Sequence, residues 1–242
     1  MSQPFKFKQF SVSQNRCAMK IGTDGVLLGA WTSIEQQPQT ILDIGSGTGV
    51  IALQLAQRSF AETIDAIEID SNAFEQCTEN FENSPWGDRL YCYHASIQEF
   101  TQEIVEENDF EGYDLIVSNP PFYTDDYKSE NKERDIARFE DSLPFQHLLV
   151  CASNLLTEDG VFSVVLPKKE ENSFITLAAT VGLFPKRICN IRGTETSAVK
   201  RSLMEFTFQQ KKIENESLVI EKERHDYTEE YIGLLKDFYL KM

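Results

Sequence analysis

Residues 40–58, which read TILDIGSGTGVIALQLAQR, decide the fold of this chain. The apolar run over 40–44 is typical of a short buried strand, and the amphipathic run over 50–58 is typical of a helix. Between them lies a tight turn, GSGTG at 45–49, in which glycines permit positive φ and let the backbone approach a ligand closely. Strand, glycine turn and helix in this order predict the first βα unit of a nucleotide-binding sheet.

Two acidic side chains beside this unit indicate which ligand it suits. Glu68 lies near the end of the second predicted strand, 63–70, about 20 residues after the glycines, where a carboxylate accepts hydrogen bonds from both ribose hydroxyls. Asp43 precedes the first glycine by two residues and disfavours a diphosphate at the turn. The pattern therefore favours S-adenosylmethionine, which has a sulfonium, an amine, a ribose and an adenine but no phosphate, over NAD.

Strand and helix patterns continue to alternate along the chain. Further strands are predicted at 90–94, 113–118, 160–166, 187–192, 202–209 and 218–222, and helices at 26–31, 71–83, 97–106, 143–156 and 170–181. Repeated βα units predict an α/β fold with a mostly parallel, twisted sheet of seven strands, helices on both faces and an antiparallel C-terminal edge. We interpret residues 1–242 as a single domain with an N-terminal extension over about 1–38 and a C-terminal helix over about 227–240.

The strand at 113–118 ends in Asn119-Pro120-Pro121-Phe122. Two consecutive prolines cannot donate to a sheet ladder, so the strand stops there and the backbone stiffens. A rigid amide, fixed carbonyl acceptors and an aromatic plate suit a planar group that bears an amine, although an ordinary Pro-rich turn has the same composition. Because ligands of parallel sheets bind beyond the carboxyl ends of the strands, we expect Asn119, Glu68 and the glycine turn to share one rim.

The charge of the chain limits its partners. A net charge of −16 argues against broad, non-specific binding to nucleic acid, which depends on neutralising phosphates. Two basic groups interrupt the acidic surface, one within the first 23 residues and one over 186–201. Such groups suit a small, locally gripped polyanion, or they are simply a solvated face.

The cysteine, histidine and apolar patterns favour an intracellular protein with reduced thiols. The five cysteines form no CxxC pair, and the three histidines do not cluster with them, so we expect reduced thiols in the cytoplasm and no metal site. No apolar run approaches the roughly 18 residues that a membrane span needs. The N-terminus lacks the apolar core of a secretory signal, so we expect no membrane association.

These motifs together resemble the Rossmann-like class I S-adenosylmethionine-dependent methyltransferases, roughly over residues 20–210. Residues 43–49 resemble the donor loop of that family, and 119–122 resemble the (N/D/S)PP(Y/F) signature of enzymes that methylate amines conjugated to a ring or carbonyl. The family often has an acid after the third strand to hold the donor's adenine, and this chain has a serine there. The donor-binding residues on this interpretation are Thr23, Asp24, Asp43, Gly45, Gly47, Gly49, Glu68, Ser96 and Asn119.

The N-terminal segment narrows the resemblance. Residues 10–31, which include RCAMK at 16–20 and GTDGVLLGAW at 22–31, resemble the bacterial tRNA1(Val) adenine-N6 methyltransferase family, as do Lys200-Arg201 and the tail over 227–242. That family methylates the adenosine just 3′ of the anticodon, at position 37. The resemblance implies N6-methylation of tRNA, with the anticodon stem-loop as the part that the protein binds. We expect the protein to be a monomer. Guanine-N2 methylation of rRNA and glutamine-N5 methylation of release factors remain alternatives, because those enzymes share the signature.

A mechanism follows as a hypothesis. Asn119 Oδ1 and the Pro120 carbonyl accept hydrogen bonds from the two N–H groups of the adenine amine, which draws the nitrogen lone pair out of conjugation with the ring. Phe122 stacks on the base. These three residues are the predicted catalytic group. The residues predicted to hold anticodon-stem phosphates are Lys6, Lys8, Arg16, Lys20, Lys200 and Arg201.

Overall fold

The computed structural model describes residues 3–106, 110–121 and 144–242. The strands within these ranges, numbered in chain order, are β1 (Phe5–Lys6), β2 (Ser11–Val12), β3 (Thr40–Ile44), β4 (Thr63–Glu68), β5 (Leu90–His94), β6 (Tyr113–Ser118), β7 (Leu156–Pro167), β8 (Phe184–Arg192), β9 (Val199–Thr207), β10 (Glu214–Val219), β11 (Glu221–Glu223) and β12 (Asp226–Tyr227). The α-helices are α1 (Thr23–Trp31), α2 (Val50–Arg58), α3 (Ser71–Glu82), α4 (Ile97–Glu106), α5 (Phe145–Leu155), α6 (Glu171–Thr180) and α7 (Glu229–Leu235).

Eight of the described strands form one sheet in the order β10-β8-β9-β7-β6-β3-β4-β5. β7, β6, β3, β4 and β5 are parallel neighbours, β9 runs antiparallel to β7 and β8, and β10 is parallel to β8. The predicted mostly parallel α/β sheet is therefore confirmed. The sheet has eight strands rather than the predicted seven, because the charged segment ENESLV pairs with β8 as edge strand β10. The reversed strand β9 lies between β7 and β8.

Helices cover both faces of the sheet. On one face α1, α2, α3 and the C-terminal segment bury a cluster that includes Leu27, Leu53 and Phe81. On the other face α4, α5 and α6 bury a second cluster around Leu148 and Phe174. Burial on both faces explains why the central strands read as continuous apolar runs. No helix in the described ranges is both long and apolar enough to span a bilayer.

The N-terminal segment packs against the C-terminal one. The Phe7 ring stacks on the rings of Phe10 and Tyr239, with centroid distances of 4.5 and 5.8 Å. The N–H of Lys8 donates to the Phe238 carbonyl at 2.8 Å. Helix α7 is shorter than the predicted 227–240, because Thr228 caps its start and turns follow Leu235.

Candidate active site

The carboxyl ends of β3, β4 and β6 bring the predicted site residues to one rim. Ser118 pairs in register with Ile44, and its hydroxyl donates to the Ile44 carbonyl at 2.9 Å. Asn119 and Gly45, the residues that follow this pair, therefore lie at the same height, directly after the ends of two adjacent strands. On the other side of β3, the register places Glu68 at this level as well. The amide, the glycine turn and the acid thus face a common space beyond the sheet.

The glycine turn is an open backbone cradle. Gly45, Gly47 and Gly49 have φ values of 73°, 54° and 76°, in the left-handed region that side chains disfavour. A Cβ added to Gly45 or Gly47 would meet no atom of the described residues within 4 Å, whereas a Cβ on Gly49 would lie 2.5 Å from Phe81 Cε1. The first two glycines therefore leave room for a ligand, and the third permits close packing of α2 on α3.

The Glu68 carboxylate is buried and fixed by the backbone around it. Its Oε2 accepts the Gly47 N–H at 2.8 Å, and its Oε1 accepts the Asp70 N–H at 2.9 Å. Asp70 caps α3 by accepting the Ala73 N–H at 2.8 Å. Each Glu68 oxygen keeps a further lone pair, so the carboxylate is able to accept hydroxyl donors from a ligand.

Asp43 carries an unsatisfied buried oxygen beneath the turn. Its side chain is fully buried; Oδ2 accepts the Ala52 N–H at 3.2 Å, and Oδ1 has no hydrogen-bond partner in the described residues. Burial raises the pKa of the Asp43 carboxyl to about 7; the Ala52 hydrogen bond opposes this rise and the charge of Glu68 adds to it. A buried carboxyl with a spare acceptor is suited to a cationic or amine group.

Asn119 presents its amide beside the start of α1. The residue is half-buried, its side chain makes no hydrogen bond within the described ranges, and Pro120 behind it is buried. A Cβ added to Gly25 would lie 3.6 Å from Asn119 Nδ2, so the helix packs directly against the amide. Phe122, the third predicted catalytic residue, lies outside the described residues.

The other predicted donor residues lie at two places on the rim. Thr23 is exposed at the start of α1, and the adjacent Asp24 accepts the Arg201 Nε–H at 2.7 Å. Ser96 caps α4: its hydroxyl donates to Glu99 Oε2 at 2.7 Å and accepts the Glu99 N–H at 3.2 Å. These bonds form a capping box and lower the pKa of the Glu99 carboxyl.

The six predicted phosphate-binding cations divide into two groups. Three are engaged within the protein: Lys8 Nζ donates to the main-chain carbonyls of Lys236 and Met242, Arg16 pairs with two glutamates of α3 at 3.4 and 3.1 Å, and Arg201 pairs with an aspartate. The other three are exposed and form no ion pair with any described residue, namely Lys6, Lys20 and Lys200. Exposed lysines of the second group are the ones available to phosphates.

Asn80 is a site residue that the sequence analysis missed. Its buried Nδ2 donates to the carbonyls of Ser13 and Thr48, both at 2.9 Å, and its Oδ1 accepts the Ser13 N–H at 2.8 Å. It therefore ties the N-terminal segment to the glycine turn. A signal that could have found it is helical spacing: the amides of Gln76 and Asn80 lie on the same buried face of α3 as Cys77 and Phe81.

Two further residues beside Glu68 were not predicted. Ile69 follows it directly and is 66% exposed, so it offers an apolar surface at the rim. Cys17 lies near the same acids: partial burial and then the charges of Glu68 and Asp70 raise its pKa to about 11, which keeps the thiol protonated at neutral pH. Among the described residues, no three His, Cys, Asp or Glu side chains gather in a group able to hold a metal ion.

The sheet order and the cradle define the class of protein. A "predicted O-methyltransferase" from Agrobacterium tumefaciens has the same architecture, with a TM-score of 0.69 and 18% identity over 89% of this chain and 96% of that chain. An O-methyltransferase from Bacillus cereus, in complex with SAH, gives a TM-score of 0.53 and 17% identity over 80% and 84% of the two chains. At these identities the likeness concerns the fold, which is that of the class I methyltransferases.

Sequence relatives narrow the class. The family model "Methyltransferase small domain" matches residues 22–184. Proteins named tRNA1(Val) (adenine(37)-N6)-methyltransferase are 57% identical in Flavobacterium psychrophilum, over 98% of this chain and 100% of the relative, and 46% identical in Bacteroides fragilis, over 100% of both. The chain belongs to the family of tRNA1(Val) (adenine(37)-N6)-methyltransferases.

Proposed function

We propose that this protein transfers a methyl group from S-adenosylmethionine to the exocyclic N6 of the adenosine at position 37 of tRNA1(Val). The observation that carries the proposal is the level pairing of β3 and β6, which sets the Asn119 amide beside the open glycine cradle. The relatives named tRNA1(Val) (adenine(37)-N6)-methyltransferase match essentially the whole chain. An amine clamp and a methyl-donor cradle on one rim are the two parts that such a transfer requires.

The residues present fit the donor. Gly45 and Gly47 leave open space above their backbone, and Asp43 keeps a buried oxygen without a partner. We assign the ribose hydroxyls to Glu68 and the cationic or amine end to Asp43. The bound donor supplies an electrophilic methyl group on sulfur. Ser96 Oγ retains one lone pair for the donor's adenine amine.

The titration of Asp43 tests this assignment. Its folded-state pKa of about 7 lies above the ordinary 3.8, so this group stabilises the folded protein at low pH, and that contribution is lost as pH rises toward 7. A cation bound beside Asp43 favours its ionised form. We therefore expect donor affinity to rise between pH 6 and 8, with release of about half a proton per donor at pH 7.

Calorimetry in two buffers of different ionisation enthalpy measures this proton release. Asp43→Asn is the matched control, because it keeps the shape of the side chain and leaves the donor's own amine to titrate as before. The difference in proton release between the two proteins is the contribution of Asp43. Equal proton release in both would remove Asp43 from the donor site.

On the acceptor side, we propose that Asn119 Oδ1 and the Pro120 carbonyl accept the two N–H bonds of the adenine amine. The amine lone pair is delocalised into the ring, and two fixed acceptors localise it toward the donor. Fixed dipoles that are already oriented stabilise the developing charge without reorganisation. No strong base is needed, since the methylated amine loses its proton readily. Stacking of Phe122 on the base remains part of this proposal.

For the RNA we propose contact through the anticodon stem-loop, since an unpaired base is splayed out at modest cost. The exposed cations Lys6, Lys20 and Lys200 support this, because phosphates require cations that are free to pair. The packing of Phe7 on Tyr239 supports residues 1–242 as one domain. We also propose that the protein is a monomer and acts in the cytoplasm; the tRNA substrate and the free thiols, Cys17 among them, support the compartment.

Transfer of a labelled methyl group to unfractionated tRNA, followed by nucleoside identification, tests the proposal. We expect N6-methyladenosine, and we expect its loss in a transcript of tRNA1(Val) that carries guanosine at position 37. The two transcripts differ at one base, so folding and charge are matched. Label in rRNA guanosine or in a release-factor glutamine would contradict the proposed substrate.

A further inference from the structure

An ion pair joins the reversed strand of the sheet to the start of α1. Arg201 Nε donates to Asp24 Oδ2 at 2.7 Å, and the side chains are 32% and 27% exposed. The Arg201 Nη1 group also donates to the Lys200 carbonyl at 3.1 Å. Both partners are thus about two-thirds withdrawn from solvent, where a charge pair is screened less than on an open surface.

The pair lies at the level of the active rim. Arg201 is in register with Pro167, the last residue of β7, and β7 pairs with β6, which ends before Asn119. Asp24 is the second residue of α1, and Gly25 after it is buried against Asn119 Nδ2. A Cβ on Gly25 would also lie 3.8 Å from Ile51 of α2, the helix that follows the glycine turn. The start of α1 is therefore wedged between the acceptor amide and the donor cradle.

The first turn of α1 is held by few side chains of the described ranges. It receives one hydrogen bond from α2, since Gln54 Nε2 donates to the carbonyl of the buried Val26 at 3.1 Å. Its N-cap residue, Gly22, supplies no side-chain hydrogen bond, so the helix start is not capped in the usual way. Asp24 is the acidic residue of this turn and interacts favourably with the helix dipole. Among the described residues, its ion pair with Arg201 is the side-chain bond that connects this turn to the sheet.

The neighbouring cation behaves differently. Lys200 is exposed and forms no ion pair with a described residue, whereas Arg201 is directed toward α1. The β8–β9 register shifts at this point: Ile191 pairs with Arg201 and Arg192 pairs with Val199, which leaves Lys200 without a partner on β8. The ion pair of Arg201 with Asp24 is what separates the two charges. The dipeptide Lys200-Arg201 therefore does not act as one phosphate-binding unit.

We propose that Arg201 is a positioning residue: through Asp24 it fixes the start of α1 against Asn119 and the donor cradle, and so sets donor affinity rather than RNA affinity. This inference rests on the proposed methyl-transfer function. It assigns Lys200 to phosphate and Arg201 to the architecture of the donor site. An RNA contact by Arg201 is the competing outcome.

Binding measurements on variants separate these outcomes. Isothermal calorimetry with S-adenosylhomocysteine as the probe is expected to show about tenfold weaker binding for Arg201→Gln and for Asp24→Asn, within the coupling range of contacting residues. The double variant is expected to be no weaker than either single one. Arg201→Lys is expected to restore part of the affinity, because it keeps a cation beside Asp24. Lys200→Gln, the matched loss of one charge, is expected to leave the affinity for S-adenosylhomocysteine unchanged.

Titration of tRNA1(Val) at several salt concentrations completes the test. For Lys200→Gln we expect weaker tRNA binding and a salt slope smaller by about one, and for Arg201→Gln an unchanged slope. A reduced slope for Arg201→Gln with unchanged affinity for S-adenosylhomocysteine would overturn the proposal in favour of a phosphate contact. A lower melting temperature of both single variants without a change in either affinity would overturn it as well. If the wild-type protein fails to bind S-adenosylhomocysteine, the proposed function itself is wrong.

Discussion

Asn119→Ala is expected to lower kcat by on the order of 100-fold or more while leaving donor affinity unchanged. The alanine removes one of the two proposed acceptors for the adenine amine, and with it the force that takes the lone pair out of conjugation. Within the described residues the Asn119 amide makes no hydrogen bond to the glycine turn or to Glu68, whose own bonds are to the backbone of Gly47 and Asp70, so we expect the turn to keep its shape in this variant. The expected loss therefore concerns the transition state.

Single-turnover transfer of labelled methyl to tRNA gives the rate, and calorimetry with S-adenosylhomocysteine gives donor affinity. Asn154→Ala provides the matched control, because Asn154 is an exposed asparagine at the end of α5, directly before the amino end of β7 and so at the opposite edge of the sheet from the rim. We expect its rate to equal that of the wild-type protein. Near-normal turnover of Asn119→Ala would exclude Asn119 as the amine acceptor, and a parallel fall in donor affinity would make it a residue of the donor site instead.

Much of this site follows from the sequence because it depends on backbone chemistry at fixed spacing. A strand, a glycine turn, a helix and an acid at this spacing can be arranged in few ways. The positive φ values of the turn and the positions of Glu68 and Asn119 at the carboxyl ends of their strands were therefore predictable. Edge strand β10 was predicted only at its end, within a strand over 218–222, since its charged first half shows no apolar run and its pairing with β8 is a tertiary effect.

Side-chain partners across long separations were the least predictable part. Arg201 and Asp24 lie 177 residues apart in the sequence and were assigned to different ligands, yet they bind each other. Ser96 was assigned to the donor, although Ser96 and Glu99 have the spacing of a capping box, a local signal that precedes α4. Local rules would have identified the second pair, whereas only the fold reveals the first.

Gly47 and Gly49 are expected to respond differently to the same substitution, because their Cβ atoms would meet different surroundings. In Gly47→Ala, the left-handed φ of 54° costs about 1–2 kcal/mol, and the new Cβ meets no atom of a described residue within 4 Å. Because we place the donor in that open space, the methyl group is expected to weaken donor binding by about 1–3 kcal/mol, or about 5- to 150-fold.

Gly49→Ala is expected to destabilise the fold itself. Its Cβ would lie 2.5 Å from Phe81 Cε1 and 2.8 Å from Cys77 Sγ, both in fully buried side chains of α3. Overpacking of about 1–3 kcal/mol adds to the cost of the left-handed φ, so the free energy of unfolding is expected to fall by about 2–5 kcal/mol. That is a large part of the stability of an ordinary domain.

Chemical denaturation and calorimetry with S-adenosylhomocysteine on both variants distinguish a ligand cradle from a purely structural turn. Gly233→Ala, in α7, is the control: a Cβ there meets nothing within 4 Å, and alanine is expected to stabilise the helix by about 0.5–1 kcal/mol without changing donor affinity. If Gly47→Ala retains full affinity, the open space above Gly47 is not where the donor binds. The glycines would then serve the turn alone, and the donor site would have to be sought elsewhere on the rim.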